Sequence, residues 1–121
     1  MFGDKERKSN VFIPTFEYSR DVVDITGRSN PEDPVTVWMP FLKEIKERVA
    51  KFNKLTINFK LDAFNTSSSM YFNTVFLELE KYSKDNEITV NWYYDSYDED
   101  MEEFGDIYKE RFKLNFNLIK I

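Results

Sequence analysis

The sequence predicts an α/β fold: a two-layer sandwich, with a mixed sheet of about five strands in the order ββαβαβαβ and the helices on one face. Three observations carry this. Segments that alternate apolar and polar residues are separated by segments with apolar residues at three- and four-residue steps, so strands and helices take turns. The last three strand segments each keep one polar face, whereas strands covered on both sides read as continuous apolar runs. The length, 121 residues, suits one domain.

Residues 1 to 10 are mostly charged or polar and are expected to form a flexible tail, with a single domain over residues 11 to 121. The tail has no apolar core of the kind a signal peptide carries, and no apolar run approaches the ~20 residues of a membrane span. A cytoplasmic location is the expectation. Val11 to Tyr18 reads as the first strand, with Phe12, Pro14 and Phe16 on one face and Pro14 favouring an edge position. Ser19 and Arg20 turn the chain into a second strand, Asp21 to Thr26, which makes a hairpin. The stretch from Gly27 to Pro34, with one glycine and two prolines, is a predicted loop.

A helix is predicted from near Val37, with Trp38, Phe41, Leu42, Ile45, Val49 and Phe52 as its apolar stripe and Pro40 in the first turn. Leu55, Ile57, Phe59 and Leu61 then form the inward face of a third strand. Thr66, Ser67, Ser68 and Ser69 follow where that strand gives way to a second helix, in which Phe72, Val75, Phe76 and Leu79 recur with helical spacing. Ile88, Val90, Trp92 and Tyr94 are the inward face of a fourth strand from Glu87 to Tyr94. A third helix opens at Asp95 to Asp98, and Met101, Phe104, Ile107, Tyr108 and Phe112 are expected to point inward. Leu114 to Ile121 closes the chain as a strand.

Composition removes most catalytic chemistry. The chain has no cysteine and no histidine, so it lacks thiolate ligands, cysteine nucleophiles and the commonest general base. Net charge is −5, with no basic run of the kind that tracks a phosphate backbone, so neither nucleic acid nor membrane is an expected partner. No cofactor or metal is expected. The acidic run at Asp95, Asp98, Glu99, Asp100, Glu102 and Glu103 lacks the spacing and glycine of a calcium loop. Acidic residues in a first helical turn complement the helix dipole, and Ser96 with Glu99 fits a capping box; a contact for a basic partner is the functional alternative. Trp92 and Tyr94 fall on an apolar strand face, so they read as core rather than as a stacking platform.

The hydroxyl run is the candidate site. A side chain at a strand-to-helix junction is suited to cap the helix, and an anion there meets the positive end of the dipole. Thr66 is therefore open to two compatible readings, a cap or a phosphate acceptor, with Ser67, Ser68 and Ser69 as rival acceptors.

The order of elements, with hydroxyls at the start of the second helix, resembles the STAS fold of anti-sigma-factor antagonists. The chain is more similar to the SiaC family of regulatory phosphoproteins, through Ile25-Thr26-Gly27-Arg28-Ser29-Asn30-Pro31-Glu32, Phe64-Asn65-Thr66-Ser67-Ser68, and Val90-Asn91-Trp92-Tyr93-Tyr94-Asp95 with Asp98-Glu99-Asp100-Met101. Phe116-Asn117-Leu118-Ile119 also fits. The resemblance implies a non-enzymatic switch controlled by reversible threonine phosphorylation at Thr66. It implies a Ser/Thr protein kinase (SiaB-like) that adds the phosphate and a PP2C-type phosphatase (SiaA-like) that removes it. The unphosphorylated form is then expected to bind and activate an effector, in the family a diguanylate cyclase (SiaD-like), in cyclic di-GMP signalling and biofilm control. Asn65, Ser67, Ser68, Arg28, Asn30 and Glu32 are the expected partner-binding residues. A constitutive interaction module, or a small enzyme using Asp62 with the hydroxyls or using the acidic run, is the alternative.

Overall fold

The computed structural model describes residues 12–121; the expected tail and Val11 lie outside the described residues. In chain order the elements are β1 (Thr15–Ser19), β2 (Val22–Ser29), α1 (Val35–Phe52), β3 (Lys54–Phe64), α2 (Thr66–Tyr82), β4 (Glu87–Tyr94), α3 (Glu99–Arg111) and β5 (Asn115–Lys120). The five strands lie in the sheet in that same order. β1 pairs antiparallel with β2, and every later neighbour is parallel.

Strand order explains the layering. Each parallel strand is added on the same side of its predecessor, and right-handed crossovers in one direction place every connecting helix on one face. The predicted two-layer α/β architecture is thus the observed one. A row across the sheet, Val23, Ile57, Val90 and Phe116, is in register and buried under the helices. The next row, Asp24, Asn58, Asn91 and Asn117, faces the other way and forms an amide ladder. Asn58 Nδ2 donates to Asp24 Oδ1 (2.8 Å), Asn91 Nδ2 to Asn58 Oδ1 (2.8 Å) and Asn117 Nδ2 to Asn91 Oδ1 (3.0 Å).

Several boundaries differ from the sequence expectation. β1 begins at Thr15; residues 12 to 14 are irregular, although the Phe12 carbonyl still accepts from the Asn30 amide just beyond β2 (2.9 Å). β2 runs on to Ser29 through residues expected to be loop: Gly27, at φ +92, marks a bulge with a register shift to Arg28 rather than a turn. α1 begins at Val35, so Pro40 sits in its second turn; only the carbonyl one turn back, at Thr36, loses its helical donor. Asp98, not Ser96, caps α3, its carboxylate accepting from Met101 N–H (3.0 Å).

The largest difference is the rotation of α3. Met101, Gly105, Tyr108 and Phe112 face the sheet, while Phe104 and Ile107, expected inward, are exposed. Gly105 is the cause. A Cβ there would stand 2.6 Å from Trp92 Cδ1 and 2.5 Å from Leu118 Cδ2, so the missing side chain lets the helix backbone settle onto the indole. Trp92 Nε1 donates to the Met101 carbonyl at 3.0 Å, which fixes that contact. No helix of the described residues is long and apolar enough to cross a membrane.

Candidate functional site

The site is the turn from β3 into α2, and its first determinant is Asn65. Its extended backbone (φ −93, ψ 171) ends the strand, and its Oδ1 accepts from Ser68 N–H at 2.9 Å. Its own carbonyl accepts the first helical bond, from Ser69 N–H (3.1 Å). Asn65 is therefore the cap and Thr66 the first helical residue, which corrects the expectation that a hydroxyl fills the cap. Asparagine ranks with the best capping residues, and its amide also reaches across to the Pro31 carbonyl (3.4 Å).

The four hydroxyls have three different fates. Thr66 and Ser67 are exposed. Ser69 is half-buried and returns its hydroxyl to the Thr66 carbonyl (2.7 Å). Ser68 is fully buried against Ser29, the last residue of β2. Its Oγ donates to the Ser29 carbonyl at 2.8 Å and lies 2.7 Å from Ser29 Oγ. Since the single Ser68 proton goes to that carbonyl, Ser29 Oγ–H must donate to Ser68 Oγ. Ser29 Oγ in turn accepts from the Trp38 indole N–H at 3.1 Å. A directed chain thus runs from indole to Ser29 to Ser68 to carbonyl, and no buried side-chain polar atom among the described residues lacks a partner. The Asn65 amide adds a bond to the same Ser29 carbonyl (3.0 Å).

This network fixes the first turn of α2 to the end of β2 and to α1. It leaves the N–H groups of Thr66 and Ser67 without an acceptor among the described bonds, at the positive end of the helix. Arg28 and Glu32 are exposed and Asn30 is half-buried. Asn30 and Glu32 line a hollow of about 270 Å³ with Phe12, Pro31 and Val37, beside the turn that Asn65 tethers through Pro31. Of the expected partner-binding residues, Asn65, Asn30 and Glu32 thus come together around the anchored turn. Ser68 does not present its side chain at the surface. Ser29 and Trp38 organise the turn; the sequence marks Ser29 only as part of a family-like segment and Trp38 only as part of an apolar helix stripe.

Asp62 lines a second hollow, of about 220 Å³, with Phe64, Asp98, Asp100, Met101 and Phe104. Among the described residues no group of three or more acidic side chains is disposed to hold a metal ion. A larger cleft, about 410 Å³ between Arg20, Arg48 and Phe52, lies at the opposite end of the sheet.

Residues 5–121 match the family described as SiaC family regulatory phosphoprotein. No curated protein matches the sequence. Three solved structures of similar fold come from Pseudomonas aeruginosa. The first, described as diguanylate cyclase SiaD in complex with its activator SiaC, superposes with a TM-score of 0.85 at 18% identity, over 92% of this chain and 94% of that one. The second, apo-SiaC, gives 0.80 at 18% identity, over 90% and 92% of the two chains. The third, SiaC, gives 0.79 at 17% identity, over 89% and 90%. At such identities the likeness shows the shared fold.

Proposed function

The chain belongs to the SiaC family of regulatory phosphoproteins, and from that premise we propose that it is a non-enzymatic cytoplasmic switch whose state is set by a phosphate on Thr66. A Ser/Thr kinase adds the group and a PP2C-type phosphatase removes it. The unmodified form docks on an effector and activates it. The solved SiaD–SiaC complex supports a diguanylate cyclase as that effector, with cyclic di-GMP as the output.

One observation supports this above the rest: Thr66 is exposed at the first residue of a helix that Asn65 caps and Ser68 anchors, an exposure that Ser67 alone among the three serines that follow shares. A kinase can reach its hydroxyl without unfolding the helix, whereas Ser68 is buried and the Ser69 hydroxyl is already bonded. A phosphothreonine brings about −1.5 to −2 charges. Its attraction to the helix N-terminus is worth about 0.3–1 kcal/mol, up to ~2 if partly buried. That is too little to refold a domain, so the phosphate acts on what sits against the turn. Arg28, Asn30, Glu32, Asn65 and Ser67 are the surface that partners read, and Ser68 serves by holding Thr66 in place.

The test is phosphate incorporation by the cognate kinase. Thr66→Ala is expected to abolish labelling and Ser67→Ala to retain it; full labelling of Thr66→Ala removes the assignment. Thr66→Glu is expected to weaken effector binding more than Thr66→Ala does, and equal affinities would count against electrostatic gating.

A further inference from the structure

The end of the sheet away from the threonine turn holds a cleft of about 410 Å³, lined by Arg20, Glu44, Glu47, Arg48, Lys51 and Phe52. That volume lies within the roughly 300–1,000 Å³ of small-molecule sites. Arg20 stands in the hairpin between β1 and β2, where pairing of Ser19 with Val22 leaves Arg20 and Asp21 as the turn. Its φ is +54, a conformation that in such a turn suits glycine or asparagine and that few bulky residues adopt. Two bonds hold the turn in place. The Arg20 carbonyl accepts from Arg48 Nη1 (2.7 Å), and the Asp21 carbonyl accepts from the Thr56 amide (2.8 Å). Backbone preference does not explain an arginine here, and strained residues of this kind cluster at functional sites.

The Arg20 side chain lies on an aromatic ring. Its Cζ is 5.1 Å from the Phe52 centroid, and Lys51 Nζ is 5.4 Å from the same centroid. Among the described residues neither cation forms an ion pair, although Glu47 stands one helical turn before Lys51 on α1. Glu47 has no ion-pair partner there either. Arg48 is engaged on two further sides: its Nε donates to Glu44 Oε2 (2.7 Å), and its guanidinium sits 4.7 Å from the Tyr18 centroid. The cleft thus offers two cations and one carboxylate without ion pairs among the described residues, beside an aromatic ring.

We propose that this cleft binds a guanine nucleotide. A simple anion is a poor match, because Glu44 and Glu47 line the cleft with the cations and repel it. A guanine nucleotide uses both signs. The base edge carries two neighbouring donors, N1–H and the 2-amino group, which one carboxylate accepts together; Glu47 takes that role. Adenine presents an acceptor, N1, at the same place, and a carboxylate repels it. The Arg20 guanidinium lies over the base as it lies over Phe52, since planar guanidinium groups stack on π-systems. Lys51 meets the phosphate. Arg48 is a positioning residue, which fixes the Arg20 carbonyl and with it the strained turn. Guanine and phosphate come together from two sources, a mononucleotide such as GMP or the cyclic dinucleotide that the proposed effector makes; only the second source rests on the switch reading. A ligand here leaves the threonine turn uncovered.

The test is titration of the unmodified full chain, ¹⁵N-labelled, with GMP and cyclic di-GMP, each against its adenine counterpart, and with inorganic phosphate. A guanine nucleotide is expected to shift amide signals of residues 19–21 and 44–52 and to bind at least about tenfold more tightly than its adenine counterpart or phosphate. Arg20→Gly suits the positive φ, so its free spectrum is expected to keep the native pattern while guanine-nucleotide affinity falls at least about tenfold. Glu47→Gln is expected to bring guanine and adenine affinities within about twofold of each other. Tighter binding of cyclic di-GMP than of GMP names the dinucleotide as occupant and the reverse names the mononucleotide; either supports the site. Binding of neither, equal binding of guanine and adenine forms by the wild type, shifts confined to other surfaces, or an Arg20→Gly chain that binds like the wild type would overturn it. Kinase labelling is read separately: a chain labelled on Thr66 that binds no guanine nucleotide keeps the switch and loses this site. A chain that binds the nucleotide but takes no label does the reverse.

Discussion

Asn65 and Ser68 divide the work of holding Thr66: one caps the helix from the front, the other bolts it to β2 from beneath. Ser68→Ala would leave the Ser29 hydroxyl without its acceptor and remove one donor from the Ser29 carbonyl, at a cost of about 1–3 kcal/mol for buried polar groups. Thr66→Ala, at an exposed position, should stay within about 0.5 kcal/mol. Urea unfolding of the two variants checks this, and equal midpoints would mean that the hydroxyl chain does not anchor the turn. The sequence placed the hydroxyl run at a helix start but did not reveal which residue caps, which is buried and which is free. Every residue from Asn65 to Ser69 is a competent cap by chemistry. What separates them is Ser29, 39 positions from Ser68, and no local pattern reports a partner that distant.

At the scale of elements, α3 shows how one small residue sets the face of a helix. Gly105→Ala should gain up to about 1 kcal/mol in helix propensity. It should lose more than that, about 1–3 kcal/mol net of any relaxation, by forcing a methyl against the Trp92 indole that Met101 holds in place. A lower melting temperature for Gly105→Ala is the expected result, and a higher one would mean that the helix can lift off the sheet freely. This is also where periodicity misled. Phe104 and Ile107 carry the hydrophobic signal while Gly105 carries none, so the apolar stripe was centred on the wrong side. Strands were easier to read. In β3 and β4 residues alternate between the helix-covered core and the opposite, more polar face, and a period of two leaves one solution for which face is inward. The sequence expectation ends β2 too early because Gly27 looks the same in a sequence whether it makes a bulge or a turn.

The molecule as a whole has an alkaline limit written into its tyrosines. Burial pushes the Tyr18 phenol up to about 12, with Glu44 adding to the effect and Arg48 opposing it, and burial likewise pushes Tyr108 up to about 12. In the unfolded chain both ionise near 10. Between those values the unfolded state binds fewer protons than the native one, so stability falls as pH rises from about 10 to about 12, and these groups contribute no slope below that window. Thermal unfolding at stepped pH should show the fall, and Tyr108→Phe should make it shallower. The strand order has a consequence of another kind. Each strand lies beside the one made just before it, so no pairing waits for a segment still to be synthesised. Ser29, Trp38, Asn65 and Ser68 all precede α3 and β5 in the chain. A nascent polypeptide leaving the ribosome would therefore carry every residue that bolts down the threonine turn before the last helix and strand had been translated.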